Sequence, residues 1–503
     1  MKPLDILMHA NKNYHSKTPS LGSRPNGQMF SSELDRVYKN TYPYREGIYK
    51  ILRKTTTSRK ILSLGGGDPL KSQPFPGTKK YVNKLFKQDV LSVYNHSEGN
   101  NKHKEKLVEY FKNKGICKYK NNNNEFISLS INNLIFTSST SHAFGLILRA
   151  IARAHDVVLM TGPVYGLFSY YPERIGAETR FIDLKKEKGF IIDTVELELK
   201  IKEINKELFD KYHENLSYIP RVVAFLNENP HNPTGIVLSE DNIKVLKNLA
   251  YVCEKNGVFV IDDLVYSGIE YNKNKPAYPL ASIPETFNSV VTMIGLSKSY
   301  SLAGLRAGLV LANDFIISKI RDLIFQDMDS LSLLQSGVLT YCLTHNSTSK
   351  SMRYFNKIIQ KYKINLEIIK LYIYGNEKTL LNNRLSKVAL KQIRKTLCEK
   401  DVQLFLNTSL KLQFAGDILP QSGFFALIDF SSLKGKTFDN FVINTEEDLL
   451  YFIFEHTAVK FITGQSMAWP YPDELIARIT YSCDSSDLIK RLFLIKSLFI
   501  NLL

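Results

Sequence analysis

A lysine that a buried strand delivers onto a turn rich in glycine and serine is placed for chemistry at a carbonyl, and Lys298 in SVVTMIGLSKSYSLAGLRAG (289–308) is such a residue. The β-branched run before it, Val290 to Ile294, reads as a buried strand, and Arg306 lies on the same turn. In an open α/β sheet, ligands bind at the carboxyl ends of strands, where a lysine held partly dry loses its charge and becomes a nucleophile. Other apolar runs end in polar groups as well. After LIF comes TSSTSHA, where Ser139, Thr140 and Ser141 open a helix whose unpaired N–H groups and hydroxyls suit an anion. After VVLMT comes Tyr165, an aromatic able to stack on a flat ligand. After VVAFLN comes Asn229-Pro230-His231-Asn232-Pro233-Thr234-Gly235, in which two prolines fix the backbone and leave Asn232 as a hydrogen-bond donor. After GVFVID come Asp262, Asp263 and Tyr266. A carboxylate at the end of a buried strand needs a partner such as a protonated ring nitrogen, and alternation along the strand lets only one of the two aspartates face a given ligand. Of these motifs taken singly, Lys298 reads as a solvated loop lysine and Ser139 to Ser141 as a plain helix cap, whereas 229–235 is too long and particular for an ordinary turn. Their recurrence at successive strand ends outlines a pocket for an anionic, aromatic aldehyde held by Lys298 as a Schiff base.

The elements that must position these groups follow from the spacing of the apolar runs. LIF from Leu134, VVLMT (157–161), VVAFLN (222–227), GVFVID (257–262), SVVTMI (289–294) and GLVLAN (308–313) alternate with helical stretches such as Ser141–Arg153 and Ser239–Lys255. Alternation of this kind means βαβ units and a mostly parallel sheet covered on both faces, an α/β fold. After Asn313 the texture changes to long helical runs, including Ser351–Tyr374, then GFFALIDF (423–430), ARITYS (477–482) and an apolar terminal helix containing Lys496. The expected organisation is a basic arm over residues 1–60, a smaller α+β domain from 61–92 plus 345–503, and a large α/β domain over 93–344. Insertions are expected near 113–131, with the solvated tract Asn121 to Asn124, and at 184–221, a charged segment that reads as a helical surface insertion. ILSLGGGDPL (61–70) places three glycines where backbone turns tightly or approaches a ligand.

The formal charge of +17 comes from 66 Lys and Arg against 49 Asp and Glu, scattered without a dense basic block. That pattern speaks against a nucleic-acid partner. Five widely spaced cysteines, odd in number and free of any C-x-x-C pair, argue against a disulfide framework and a zinc site, and for a reducing, cytoplasmic setting. No apolar run approaches a membrane span and the N-terminus lacks a secretory core. A basic, partly Ser-rich N-terminus leaves an organellar transit segment open, with Asp5, Glu33 and Asp35 against it.

N-P-x-N-P-T-G at 229–235, D-x-x-Y at 263–266 and S-K followed eight residues later by arginine occur in an order that resembles the class I/II aminotransferases, fold-type I pyridoxal-phosphate enzymes, over roughly Ile61 to Ser482. The resemblance implies a large domain with a seven-stranded type of sheet, a smaller α+β domain, and a homodimer with shared sites. It assigns Lys298 the covalent hold on the cofactor and the later proton shuttle. Asp263 would pair with the ring nitrogen, Asn232 and Tyr266 with the ring oxygen, and Tyr165 would stack on the ring. Arg306, Ser297 and Ser139 to Ser141 would hold the phosphate, helped by Tyr94 of the neighbouring subunit. Arg478 would clamp the substrate α-carboxylate, with Gly66 beside it. The chain departs from the family pattern at Gly295, where a phosphate-binding serine is common, at Ser139, where glycine is frequent, and at Met467, where an aromatic is common and Trp469 lies nearby. Asp327 and Asp329 stand where dicarboxylate-specific members present an arginine, which suggests a neutral or basic amino donor. The implied activity is amino-group transfer from an amino acid to a 2-oxo acid. Lyases, ring-forming synthases and decarboxylases share the fold and its residues, and a cofactor-sensing regulator is a remote alternative.

Overall fold

A computed structural model describes residues 2–3, 59–69, 74–88, 90, 92–120, 125–214, 218–375 and 383–502. Most of the expected N-terminal arm and the tract 121–124 therefore lie outside the described residues. The centre of the larger unit is a seven-stranded sheet: β1 (Leu134–Thr137), β2 (Val157–Gly162), β3 (Glu178–Asp183), β4 (Val222–Glu228), β5 (Phe259–Asp263), β6 (Val290–Gly295) and β7 (Gly308–Leu311). Their spatial order is β1-β7-β6-β5-β4-β2-β3. Only β7 runs against its neighbours, and the remaining pairs are parallel.

Alternation along each strand divides the apolar residues between two cores. Val157 and Leu159 of β2 pack with Leu197, Ile201, Leu246 and Leu249 on one face. Val158 and Met160 pack with Phe144, Ile147, Ile316 and Ile320 on the other. Burial of both faces is why these strands read as unbroken apolar runs. The exception is β3, an edge strand whose Glu178, Arg180 and Asp183 are not buried, so its pattern gives no apolar run. The charged segment 184–221 supplies the crossover between β3 and β4. Its helix Thr194–Tyr212 is capped by Asp193 and buries Leu197, Ile201, Ile204 and Leu208 at helical spacing against the sheet. The stretch near 113–131 forms a hairpin, Lys118–Lys120 against Phe126–Ser128.

The smaller unit holds an antiparallel sheet of β8 (Gln413–Phe414), β9 (Phe425–Asp429), β10 (Ile462–Thr463) and β11 (Ile476–Thr480), in the order β8-β9-β11-β10. Helices Ser349–Tyr374, Arg384–Thr396 and Ser485–Leu502 pack with it. Lys496 of the last helix is buried and donates to the carbonyls of Tyr372, Phe405 and Asn407, tying down the ends of two other helices. Among the described residues no helix is long and apolar enough to cross a membrane.

Topology decides where chemistry collects. The carboxyl ends of β1, β2, β4, β5 and β6 lie along one edge of the large sheet, and β7 starts there, with Gly308 opposite both Thr137 and Gly295. One edge therefore presents Ser139, Tyr165, Asp263 and Lys298, with Arg306 just ahead of β7. The 62–67 segment approaches this edge from the smaller unit, after Leu62 and Ser63 pair with Val459 and Lys460.

Candidate active site

Lys298 is half-buried, and its Nζ donates to the Gly67 carbonyl at 2.6 Å. Burial pushes the ammonium down to about 8, and the charges acting on it are, in order, Asp68, Arg478, Arg306 and Asp263. A lysine so placed loses its proton far more readily than a solvated one, which is what a nucleophilic amine requires. Gly67 leaves the amine room, since a Cβ there would lie 3.2 Å from Nζ.

Arg478 enters from β11 and is 2% exposed. Its Nη1 donates to Asn232 Oδ1 at 3.2 Å, its Nη2 to the Gly65 carbonyl at 3.0 Å, and its guanidinium lies over the Phe425 ring at 4.4 Å. Its Nε is buried with no acceptor. A fixed guanidinium with an unmet N–H is fitted to a planar anion such as a carboxylate.

The two aspartates diverge as alternation requires. Asp262 turns away, accepting from Asn227 Nδ2 at 2.8 Å and from the Leu280 N–H at 2.9 Å. Asp263 turns to the site, 3% exposed, with one bond from the Val265 N–H at 3.0 Å. Burial, with Asp262 nearby, pushes Asp263 up to about 7, so its ionised form calls for a cation. Tyr266 is buried against Phe424 and Phe425, its phenol pushed well above the ordinary range by burial. Arg478, Tyr165, Glu228 and Asp263 all act on that phenol, so these groups are close neighbours. Arg478 occupies Asn232 Oδ1, which leaves the Asn232 amide N–H₂ as the donor.

The anion-binding end is built from β1, β6 and β7. Ser139 caps the helix Thr140–Ile151 by accepting from the His142 N–H at 3.1 Å, which leaves its O–H as a donor. The first N–H groups of that helix have no intrahelical acceptor. Gly295 is sterically required: a Cβ there would meet Thr140 Cγ2 at 2.9 Å, with Thr140 Oγ1 3.9 Å away. The Thr140 side chain thus fills the space that a serine at 295 would need. A Cβ on Gly308 would meet Thr137 Oγ1 at 2.7 Å and the Ser139 carbonyl carbon at 2.8 Å, which holds this corner close-packed. Arg306 is exposed, in the left-handed region at φ 56°, and donates to the Ala303 carbonyl at 3.0 Å. Ser297 and Ser141 are half-buried.

Other positions singled out in the sequence stand as follows. Gly66 is half-buried between the two carbonyls that make the contacts, those of Gly65 and Gly67, and a Cβ on it meets nothing closer than 3.7 Å. Tyr94 is 87% exposed in its own chain. Asp327 is bound by Arg149 of the same chain through both carboxylate oxygens, one contact at 3.2 Å, so it is committed and does not support a basic donor. Trp469 donates to Glu474 at 3.1 Å and packs on Phe190, turned toward the 186–190 segment. Glu228, missed in the sequence, ends β4 beside Asp263 and accepts the Tyr165 N–H at 3.1 Å.

Comparison with known proteins agrees with this arrangement. The family model described as aminotransferase class I and II matches residues 59–366. A probable aspartate/prephenate aminotransferase of Aquifex aeolicus is 31% identical over 180 residues, 35% of this chain and 40% of that one. A probable N-acetyl-LL-diaminopimelate aminotransferase of Bacillus subtilis is 27% identical over 266 residues, 53% of this chain and 58% of that one. These matches span about half the length of the relatives. The fold extends further: aspartate aminotransferase from Thermus thermophilus with maleate superposes with a TM-score of 0.66 at 17% identity, covering 92% of this chain and 96% of that one. With a half-buried lysine, a buried arginine and a buried aspartate converging at the carboxyl edge of a seven-stranded sheet, and a family match over more than half its length, the chain belongs to the class I and II aminotransferases, a family dependent on pyridoxal phosphate.

Proposed function

We propose that this protein transfers the amino group of an amino acid to a 2-oxo acid, using pyridoxal phosphate bound at Lys298. The observation that carries the reading is the suspension of Lys298 Nζ and the Arg478 guanidinium from the carbonyls of Gly67 and Gly65, two residues apart on one segment. An α-amino acid presents a nitrogen and a carboxylate on one carbon, the two groups that an amine-bound carbonyl and a guanidinium held side by side would receive.

The residues fit the cofactor. The first N–H groups of the helix Thr140–Ile151, which have no intrahelical acceptor, and Arg306 suit a phosphate, with Ser297 and Ser141 at its edge and Thr140 packed on Gly295. Asp263 suits a protonated ring nitrogen, Asn232 and Tyr266 a ring oxygen, and Tyr165 a ring face. When bound, pyridoxal phosphate supplies an aldehyde to take up the amino group and a ring that accepts the electron pair released at the α-carbon. The chain does the rest. Arg478 binds the α-carboxylate and fixes the α-carbon in front of Lys298. Lys298 Nζ, neutral above about 8, would take the α-proton and return it to the cofactor's aldehyde carbon on the far side of the nitrogen. Asp263 holds the ring nitrogen's proton in place, in a pocket where water cannot compete.

The same reading places the enzyme in the cytoplasm, supported by free thiols at Cys117, Cys253, Cys342, Cys398 and Cys483. It also makes the enzyme a homodimer in which Tyr94 reaches the partner's phosphate. Support comes from Tyr94 and its neighbour Val93 being exposed, together with Phe325 and Met328.

The test is a pair of half-reactions. Purified protein loaded with pyridoxal phosphate should convert it to the amine form on addition of an amino acid and release a 2-oxo acid. A second 2-oxo acid should then restore the starting absorbance. Consumption of amino acid with the aldehyde form regenerated, and no acceptor required, would make the enzyme a lyase, synthase or decarboxylase.

A further inference from the structure

The end of β4 brings a second carboxyl group into the site. Glu228 and Asp263 are paired residues on adjacent parallel strands, so their side chains leave the sheet on the same face. The preceding pair proves the register, since Asn227 and Asp262 hydrogen-bond to each other on the opposite face. Glu228 is 7% exposed and its Oε2 accepts the Tyr165 N–H. The charged and titratable groups that face it are Asp263 from β5, Tyr266 from the turn after β5, and Arg478 from β11. Arg478 has given Nη1 to Asn232 and Nη2 to Gly65, and among the described residues Glu228 forms no ion pair.

We propose that Glu228 works as a neutral carboxylic acid, a positioning residue that fixes Tyr165 and leaves Asp263 as the single anion of the pair. Two carboxylates side by side in a dry pocket cannot both stay ionised without a cation each, so the pair keeps one proton and one negative charge. Oε2 accepts from Tyr165, which puts the proton on Oε1. Arg478, the cation that faces Glu228, is committed to Asn232 and Gly65, whereas Asp263 has the ring nitrogen of the proposed cofactor as its cation, so the proton resides on Glu228; burial and the neighbouring Asp263 both push that carboxyl well above its ordinary value. No proton moves during turnover. The effect is static: the negative charge is concentrated on the carboxylate nearest the ring nitrogen, and the main chain of Tyr165 is held at the fixed depth that its ring requires.

This inference rests on the assignment of Asp263 to the ring nitrogen, and the experiment separates the two. Infrared difference spectra of wild type and Glu228→Gln, with and without pyridoxal phosphate at neutral pH, should show one protonated-carboxyl stretch lost in the variant in both states. Asp263→Asn should retain that band. The absorbance titration of the bound cofactor should coincide in wild type and Glu228→Gln, because glutamine replaces a neutral group and keeps an oxygen for the Tyr165 N–H. Persistence of the band in Glu228→Gln overturns the proposal, as does a titration displaced by about one unit, a tenfold change in proton affinity, since only an ionised Glu228 would shift its neighbour so far. The infrared band without cofactor reports on Glu228 even if Asp263 serves another ligand. Absence of any bound-cofactor absorbance in wild type would instead refute the reading of the site.

Discussion

Replacing Arg478 separates binding of substrate from binding of cofactor. The guanidinium carries five N–H donors, of which two are committed, to Asn232 and to Gly65, and Nε has no acceptor. In a pocket where Arg478 is 2% exposed, a carboxylate that loses its partner stays desolvated. Leaving such a charge unpaired costs on the order of 2–5 kcal/mol, or roughly 30- to 5,000-fold in affinity. Arg478→Ala should therefore raise the amino-acid concentration for half-saturation of the first half-reaction by a factor in that range. Pyridoxal phosphate, held by Lys298, Asp263 and the phosphate corner, should keep its dissociation constant within about threefold. Arg478→Lys keeps the charge but supplies one point donor in place of a planar fork, and should recover only part of the loss. The assay is the cofactor absorbance change against amino-acid concentration, with cofactor affinity titrated separately. Equal loss of both affinities would refute the reasoning and make Arg478 a strut between β11 and the 65–67 segment.

Lys298→Ala should abolish the covalent link, so borohydride reduction followed by peptide mapping should label Lys298 in wild type and no lysine in the variant. Burial lowers the Lys298 amine from 10.5 to about 8, so the unfolded chain holds a proton that the folded apoprotein releases between those values. Stability of the apoprotein should rise with pH across that window, and Lys298→Met should flatten this part of a denaturation series. Gly295→Ser should weaken cofactor binding, because its Cβ meets Thr140 Cγ2 at 2.9 Å and overpacking costs about 1–3 kcal/mol; adding Thr140→Gly should restore affinity, and failure to do so in a cofactor titration would uncouple the two positions. Lys496→Met should take the donor from two buried carbonyls and a part-buried one and lower stability by about 3 kcal/mol in urea unfolding, without changing cofactor affinity.

The large sheet was legible because its central strands are buried on both faces, so β2, β4, β5 and β6 print unbroken apolar runs. Strand β3 was not, because an edge strand carrying Glu178, Arg180 and Asp183 looks like loop. The segment 184–221 misled for a related reason. The exposed charges of its helix outnumber the four buried residues that make it part of the sheet's cover. Within the site, Lys298, Asn232, Asp263, Tyr266, Arg306 and Arg478 announce themselves by motif. Glu228 does not, although a glutamate closing a strand buried at every position is a signal that could have been read. Which of three consecutive glycines turns its carbonyl to the site depends on pairings across the chain, from Gly67 to Lys298 and from Gly65 to Arg478. No local pattern carries that information, and the same holds for the bond that commits Asp327 to Arg149.

Those two carbonyls also account for how the site is joined across two sheets. Lys298 hangs from the turn after β6, Arg478 stands on β11, and the segment that receives both is itself anchored, with the Leu64 N–H on the Lys460 carbonyl and the Leu64 carbonyl accepting the Thr480 N–H. The distance between amine and guanidinium is therefore set by backbone hydrogen bonds rather than by side-chain packing. When Lys298 leaves Gly67 to take up a carbonyl, only one side-chain bond is lost from that segment, since Gly65 keeps Arg478 and Leu64 keeps its strand partners. The lysine is free to move while the carboxylate clamp stays fixed, which is the division of labour that moving a proton at a held α-carbon demands.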